Sequence, residues 1–149
     1  MNLLCKIVGD GFSVPNKIHL YKRGEIAQQF IVDLTTKYPY AKVDKYVIMP
    51  NHVHLLLSID NQMNDMGNIT ETPSPTVGAI IGWYKYQTTK QMNNPMDNET
   101  FKIWQRSFHD HIIRDDEEYQ EIWDYINTNP QRWKDDCFYH HDIIETDEL

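Results

Sequence analysis

Apolar residues recur at every third or fourth position in three stretches of the chain, the spacing of a helix with one buried face. From Gly24 to Tyr38 the stripe is Ile26, Ala27, Phe30, Ile31 and Leu34, and Pro39 stops it. From Val77 to Met92 it is Val77, Ile80, Ile81, Tyr84 and Thr88. From Asp115 to Asn127 it is Tyr119, Ile122, Trp123 and Ile126, with acids filling the first turn as the helix dipole favours and Asn129-Pro130 closing it. Elsewhere the period is two. Ala41 to Met49 reads as a strand, turns at Pro50-Asn51, and returns as a second strand ending near Asp60. Leu3 to Val8, ended by Gly9-Asp10-Gly11, and Ile18 to Leu20 are shorter extended pieces, and Phe101 to Trp104 alternates like a short strand. His19 is assigned no role. The polar stretches Asn61–Thr76 and Asn93–Glu99 read as loops. Helices laid against one face of an antiparallel sheet predict an α+β fold.

The strand after the turn has an unusual face. In His52-Val53-His54-Leu55-Leu56-Leu57, residues i and i+2 point the same way, so His52 and His54 share a side with Cβ atoms roughly 6–7 Å apart. Two imidazoles at that spacing can converge on one cation, and imidazole is the commonest metal ligand. Val53, Leu55 and Leu57 are expected to point the other way, into a core. A His-x-His tripeptide alone is weak, since two alternate histidines are often merely exposed. The apolar residues on both sides, Tyr46-Val47-Ile48 and Leu55-Leu56-Leu57, favour a built site.

At 149 residues the chain fits one domain with a real core, here placed at 1–134 with an acidic tail at 135–149. No run approaches the ~18 apolar residues of a membrane span. The opening MNLLCKIVGDG is too short in apolar residues for a signal peptide. Cys5 and Cys137 lack metal-type spacing and fit a reduced thiol pair, with a disulfide as the alternative; the expected setting is cytoplasmic with no membrane partner. The net charge of −8 argues against simple nucleic-acid binding. Its distribution changes that. Residues 115–149 carry twelve acids against two bases, and the first 90 residues have a small basic excess. The body of the chain can still meet a phosphate backbone, through local Lys/Arg placement and with affinity that falls with salt.

Two further groups carry candidate chemistry. The helix from Val77 interleaves Lys85 and Lys90 with Trp83, Tyr84 and Tyr86. An amphipathic helix packed on a sheet explains this at about two to one; the other reading is a DNA-facing helix whose lysines neutralise phosphates and whose rings stack on unpaired bases. Beyond Trp104, His109, Asp110 and His111 are again metal-ligand types.

Four stretches in order, KVDKYVIMPNHVHLLLSI, PTVGAIIGWYKYQTTKQMN, IWQRSFHDHIIRDDEEY and IWDYINTNPQRW, resemble the REP-associated branch of the single-tyrosine HUH transposases over about Gly9 to Trp133. The resemblance implies a ferredoxin-like antiparallel sheet with helices on one face. It implies a divalent metal, Mg or Mn, held by His52 and His54, with His111 as a third candidate ligand. It implies single-stranded or hairpin DNA as partner, met through Lys85, Lys90, Trp83 and Arg106, in a monomer or homodimer. In that family a tyrosine on a later helix attacks a phosphodiester, forms a covalent phosphotyrosine link and releases a 3′-OH. Metal-ligating histidines are neutral, so metal binding should weaken in acid.

Two departures qualify the likeness. Relatives are expected to carry tyrosine where this chain has Phe108 or His109, and phenylalanine has no hydroxyl to form the ester. Tyr119 is the substitute, weighed at three to one against as a core residue on the apolar stripe. The opening strand of the family also has no counterpart before Leu3, so the sheet is expected to lack its first strand; either the true start lies upstream or the copy is truncated. Three functions follow: a transposase-type endonuclease, a relic that binds hairpin DNA without cutting it, and a metal-sensing or structural protein with no nucleic-acid partner.

Overall fold

The periodic segments form the elements they predict, in a computed structural model that describes residues 3–9, 16–60, 76–93 and 102–135. In chain order these are β1 (Cys5–Val8), β2 (Lys17–Leu20), α1 (Lys22–Lys37), β3 (Ala41–Ile48), β4 (Val53–Ile59), α2 (Val77–Met92), α3 (Asp116–Thr128) and a 3₁₀ segment (Asn129–Asp135). The fold is α+β. The loop expected over 61–75, most of the loop at 94–99, Phe101 and the tail beyond Asp135 with Cys137 lie outside the described residues. Among the described residues no helix is long and apolar enough to cross a membrane.

The strands pair two and two rather than in one sheet: β1 with β2, antiparallel, and β3 with β4. Lys102–Trp104 form no strand. Alternation alone cannot supply a pairing partner, and the Trp104 indole is instead committed to a helix, as described below.

Tertiary contacts divide the chain into two units. The first comprises residues 1–25, 45–56 and 112–149, and the second 26–44 and 57–111. In the first, Val47, Met49, Leu56, Ile126 and Trp133 form the core, with Ile7, Ile18, Ile113, Tyr119, Ile122 and Trp123 packed against it. The amide of Leu4 donates to Pro50 O at 2.9 Å, which fastens the segment before β1 to the β3–β4 turn. The Cys5 thiol is free, buried, and 3.4 Å from Ile48 O. Asn16 is tied to the 3₁₀ segment: its side-chain amide donates to Pro130 O at 2.8 Å, and its backbone exchanges hydrogen bonds with the Gln131 side chain. α3, which leads into that segment, opens with Asp115 accepting from Glu118 N, an N-cap that satisfies one of the orphan amides of the first turn.

In the second unit α1 and α2 bury facing stripes. Ala27, Ile31 and Leu34 are buried on α1; Ile80, Tyr84, Thr88 and Met92 are buried on α2. The expected stripe holds except at its start, where Val77 is partly exposed and Met92 takes up the far end. The Tyr84 hydroxyl donates to Ala27 O at 2.9 Å, and the Trp83 ring meets Phe30 and Tyr38 edge-on. Thr76 caps α2 by accepting from Ala79 N.

Candidate functional site

The site is built in the first unit, on the turn that precedes β4. Met49 N donates to His52 O at 2.8 Å and closes the turn, and Pro50 carries no amide that would need a partner. His52 sits at the mouth of β4 and His54 two residues in, so their rings emerge on one side as the strand period requires. The Nε2 atoms are 3.1 Å apart and the rings meet at 82°. The Asn51 side chain lies against the pair, its Oδ1 2.9 Å from His52 Nδ1. An amide oxygen only accepts, so His52 Nδ1 carries the proton and its Nε2 presents a lone pair. His54 Nε2–H then donates to that lone pair.

The spacing of the two nitrogens, though not yet the direction of their lone pairs, matches that of two ligands on one cation. Two metal–nitrogen bonds of about 2.1 Å subtending an octahedral or tetrahedral angle place their nitrogens roughly 3.0–3.4 Å apart. The observed 3.1 Å lies in that range. His54 would move its proton to Nδ1 to ligate, whereas His52 is already set by Asn51. Among the described residues no group of three or more His, Cys, Asp or Glu side chains is gathered for a metal.

The side of β4 that carries the histidines is also the side that is covered. Leu56, two positions beyond His54, is 4% exposed and belongs to the core with Ile126 and Trp133. Leu55 and Leu57, expected to fill the core, are only half-buried. The reason is tertiary: α3 and the 3₁₀ segment pack on the histidine side. Their aromatic side chains therefore reach the pair. The Trp133 ring lies 6.0 Å from that of His52, tilted by 32°. The Tyr125 ring meets His54 edge-to-face at 5.6 Å. Arg132 lies over the Tyr125 ring, 5.2 Å from its centroid, and donates to Thr128 Oγ1 at 2.9 Å. Tyr125 is 43% exposed.

Tyr125, Asn51 and Arg132 were not among the residues singled out from the sequence. Tyr125 falls off the apolar stripe of α3 and reads as part of a solvated face. An aromatic placed off the stripe, on an otherwise polar face, is the signal the sequence carries. Tyr119, the substitute nucleophile expected from the sequence, packs against the core cluster instead.

The remaining candidates belong to the second unit. Phe108, His109 and His111 lie on the exposed segment after Trp104. That segment is pinned to α2. Trp104 Nε1 donates to Thr88 Oγ1 at 2.8 Å, its ring is 5.7 Å from Tyr84, and Lys85 Nζ donates to Gln105 O and Ser107 O at 2.8 and 2.9 Å. The Phe108 ring lies 5.9 Å from the same ammonium. Burial pushes the Lys85 ammonium below its ordinary pKa. Two of its three donors thus serve carbonyls. Trp83 has its ring engaged by Phe30 and Tyr38, and Lys90 and Arg106 are exposed.

Two proteins of Haemophilus influenzae are similar to the chain. One, described as uncharacterised, is 31% identical over 139 residues, which span 87% of this chain and 76% of the relative. The chain belongs to the same family as this relative. The other bears the description "Putative REP-associated tyrosine transposase" and is 32% identical over 101 residues, 62% of this chain and 51% of the relative. The chain thus spans about half the length of that second protein, whose description supports the kinship read from the four motifs. No family profile matches the chain, and no solved structure is significantly similar to it.

If the imidazole pair holds Mn²⁺, Asn51→Ala is expected to weaken that binding by about 10–100-fold, the usual effect of removing a group that orients a ligating imidazole. Calorimetric titration of wild type and variant checks it; equal affinities would remove Asn51 from the site.

Proposed function

We propose that this chain is a strand-transfer protein of the HUH transposase type, acting on single-stranded, hairpin-bearing DNA through a phosphotyrosine intermediate formed at Tyr125. The observation that carries the reading is the edge-to-face contact of the Tyr125 ring with His54, one member of an imidazole pair whose nitrogens stand at ligand spacing. His52 and His54 would hold a divalent cation, Mg or Mn. A cation held there would supply Lewis-acid stabilisation of the charge that develops on a non-bridging phosphate oxygen.

The chain's own groups do the rest. The Tyr125 hydroxyl attacks phosphorus and forms the Oη–P bond as its proton leaves to solvent. The P–O3′ bond breaks, and the departing 3′ oxygen takes up a proton. One phosphodiester replaces another, so the intermediate keeps the energy of the broken linkage and the 3′-OH can attack it in the reverse sense. Asn51 holds His52 in the ligating tautomer. Trp133, 6% exposed, closes the side of the His52 ring away from water.

The test is a denaturation-resistant adduct between the protein and a labelled hairpin-bearing single strand, formed with Mg²⁺ or Mn²⁺ and absent in EDTA. Failure of wild type to form it in either metal overturns the reading. Hairpin binding that persists in EDTA and in His52→Ala, without an adduct, would instead support the non-cleaving DNA-binding alternative.

A further inference from the structure

Arg132 is set apart from the charged residues around it. Residues 115–135 hold seven acids and only Arg132 and Lys134 as bases, yet among the described residues no carboxylate pairs with the Arg132 guanidinium. It crosses the Tyr125 ring instead. One Nη2 donor is spent on Thr128 Oγ1 at 2.9 Å, and Thr128 in turn donates to Asp124 O at 2.8 Å, so the guanidinium is moored to the backbone of α3. Among the described residues its four other N–H donors have no partner. The backbone also departs from helical geometry at this residue, with φ −110° and ψ 23° in the middle of the 3₁₀ segment. The kink separates two neighbouring side chains by role: Trp133 turns under His52, and Arg132 turns out over Tyr125.

A planar, permanently charged fork held over a half-exposed phenol recognises one class of ligand above others, a phosphate oxygen pair. We infer that Arg132 binds the phosphate that reacts at Tyr125, gripping its non-bridging oxygens. This inference rests on the proposed tyrosyl transfer for its catalytic meaning, but phosphate recognition itself does not need it. In the transfer step Arg132 gives up no proton and forms no covalent bond. It offsets the negative charge that grows on the equatorial oxygens while the Oη–P bond forms and the P–O3′ bond breaks.

Two measurements on the full chain decide it. The first needs no DNA chemistry: the Arg132 Nε–H resonance is followed by NMR during titration with inorganic phosphate, against chloride at equal ionic strength. A saturable shift with phosphate alone is expected; no shift, or the same shift with chloride, overturns the inference. The second compares Arg132→Gln and Arg132→Lys with wild type in the adduct assay at saturating hairpin DNA. Arg132→Gln should lower the adduct rate about 100-fold or more, with a change in DNA affinity below about tenfold and an unchanged melting temperature, as for loss of one donor to a developing oxyanion. Arg132→Lys, which keeps the charge and loses the fork, should recover part of the rate. A wild-type rate in Arg132→Gln overturns the inference. If wild type itself forms no adduct, the tyrosyl-transfer reading fails, and the phosphate titration still decides whether Arg132 is a phosphate site.

Discussion

Tyr125→Phe is expected to abolish the covalent DNA adduct, by at least about a thousandfold, and to leave the fold intact. The change removes one oxygen atom and nothing else. Among the described residues the Tyr125 hydroxyl has no hydrogen-bond partner, and the ring contacts with His54 and Arg132 involve the ring alone. Phenylalanine can repeat both. Stability should therefore shift by less than about 0.5 kcal/mol, as for exposed substitutions in general. Tyr119→Phe is the necessary companion. Tyr119 lies on the core side of the same helix, packed with Ile122, Trp123 and the residues under them, and its loss of a hydroxyl should leave adduct formation near wild type. If Tyr119→Phe is the variant that fails while Tyr125→Phe still reacts, the assignment of the nucleophile is reversed.

Gly24→Ala is expected to destabilise the protein by roughly 3 kcal/mol, read as a fall in the denaturation midpoint. The sign is informative, because alanine in a helix is ordinarily favoured over glycine by about 1 kcal/mol. Gly24 lies in the first turns of α1, and a Cβ there would stand 2.1 Å from the carbonyl oxygen of Leu4 and 3.0 Å from Leu20 Cδ2. The carbonyl cannot swing aside without cost. It accepts the Tyr21 amide at 2.9 Å, and the Leu4 amide is bound to Pro50 O. Leu4 is 3% exposed. Pushing it away would disturb the clasp that holds the turn before His52, so metal affinity should drop with stability. A variant as stable as wild type would mean that the close approach of α1 to Leu4 is wrong.

The histidine strand and the helices were legible because their signals are local. A stripe such as Ala27, Ile31 and Leu34 is fixed by the helical period, and the spacing of His52 and His54 by the strand period. The α+β class followed from the order of such elements. What the sequence concealed is tertiary. Nothing in the run from Val53 to Leu57 says which side α3 will cover; the apolar count on odd positions pointed to Leu55 and Leu57, and the packing chose Leu56. The same packing brings Tyr125 to His54, across a sequence distance that no periodicity spans. Phe101 to Trp104 shows the converse error. Its alternation is genuine, but Trp104 is spent on the Thr88 hydroxyl and Lys85 on the following carbonyls, so no strand forms from Lys102 to Trp104. The pairing of strands two and two is likewise a matter of which edges meet, which residue type does not record.

The central claim is that the imidazole pair and Tyr125 form one centre around a divalent cation. Paramagnetic broadening tests it without any DNA. Mn²⁺ held by His52 and His54 should broaden the ring resonances of Tyr125 beyond detection in wild type and leave them sharp in the His52→Ala, His54→Ala double variant. Tyr125 signals that stay sharp in wild type at saturating Mn²⁺, or that broaden equally without the two histidines, would contradict the account.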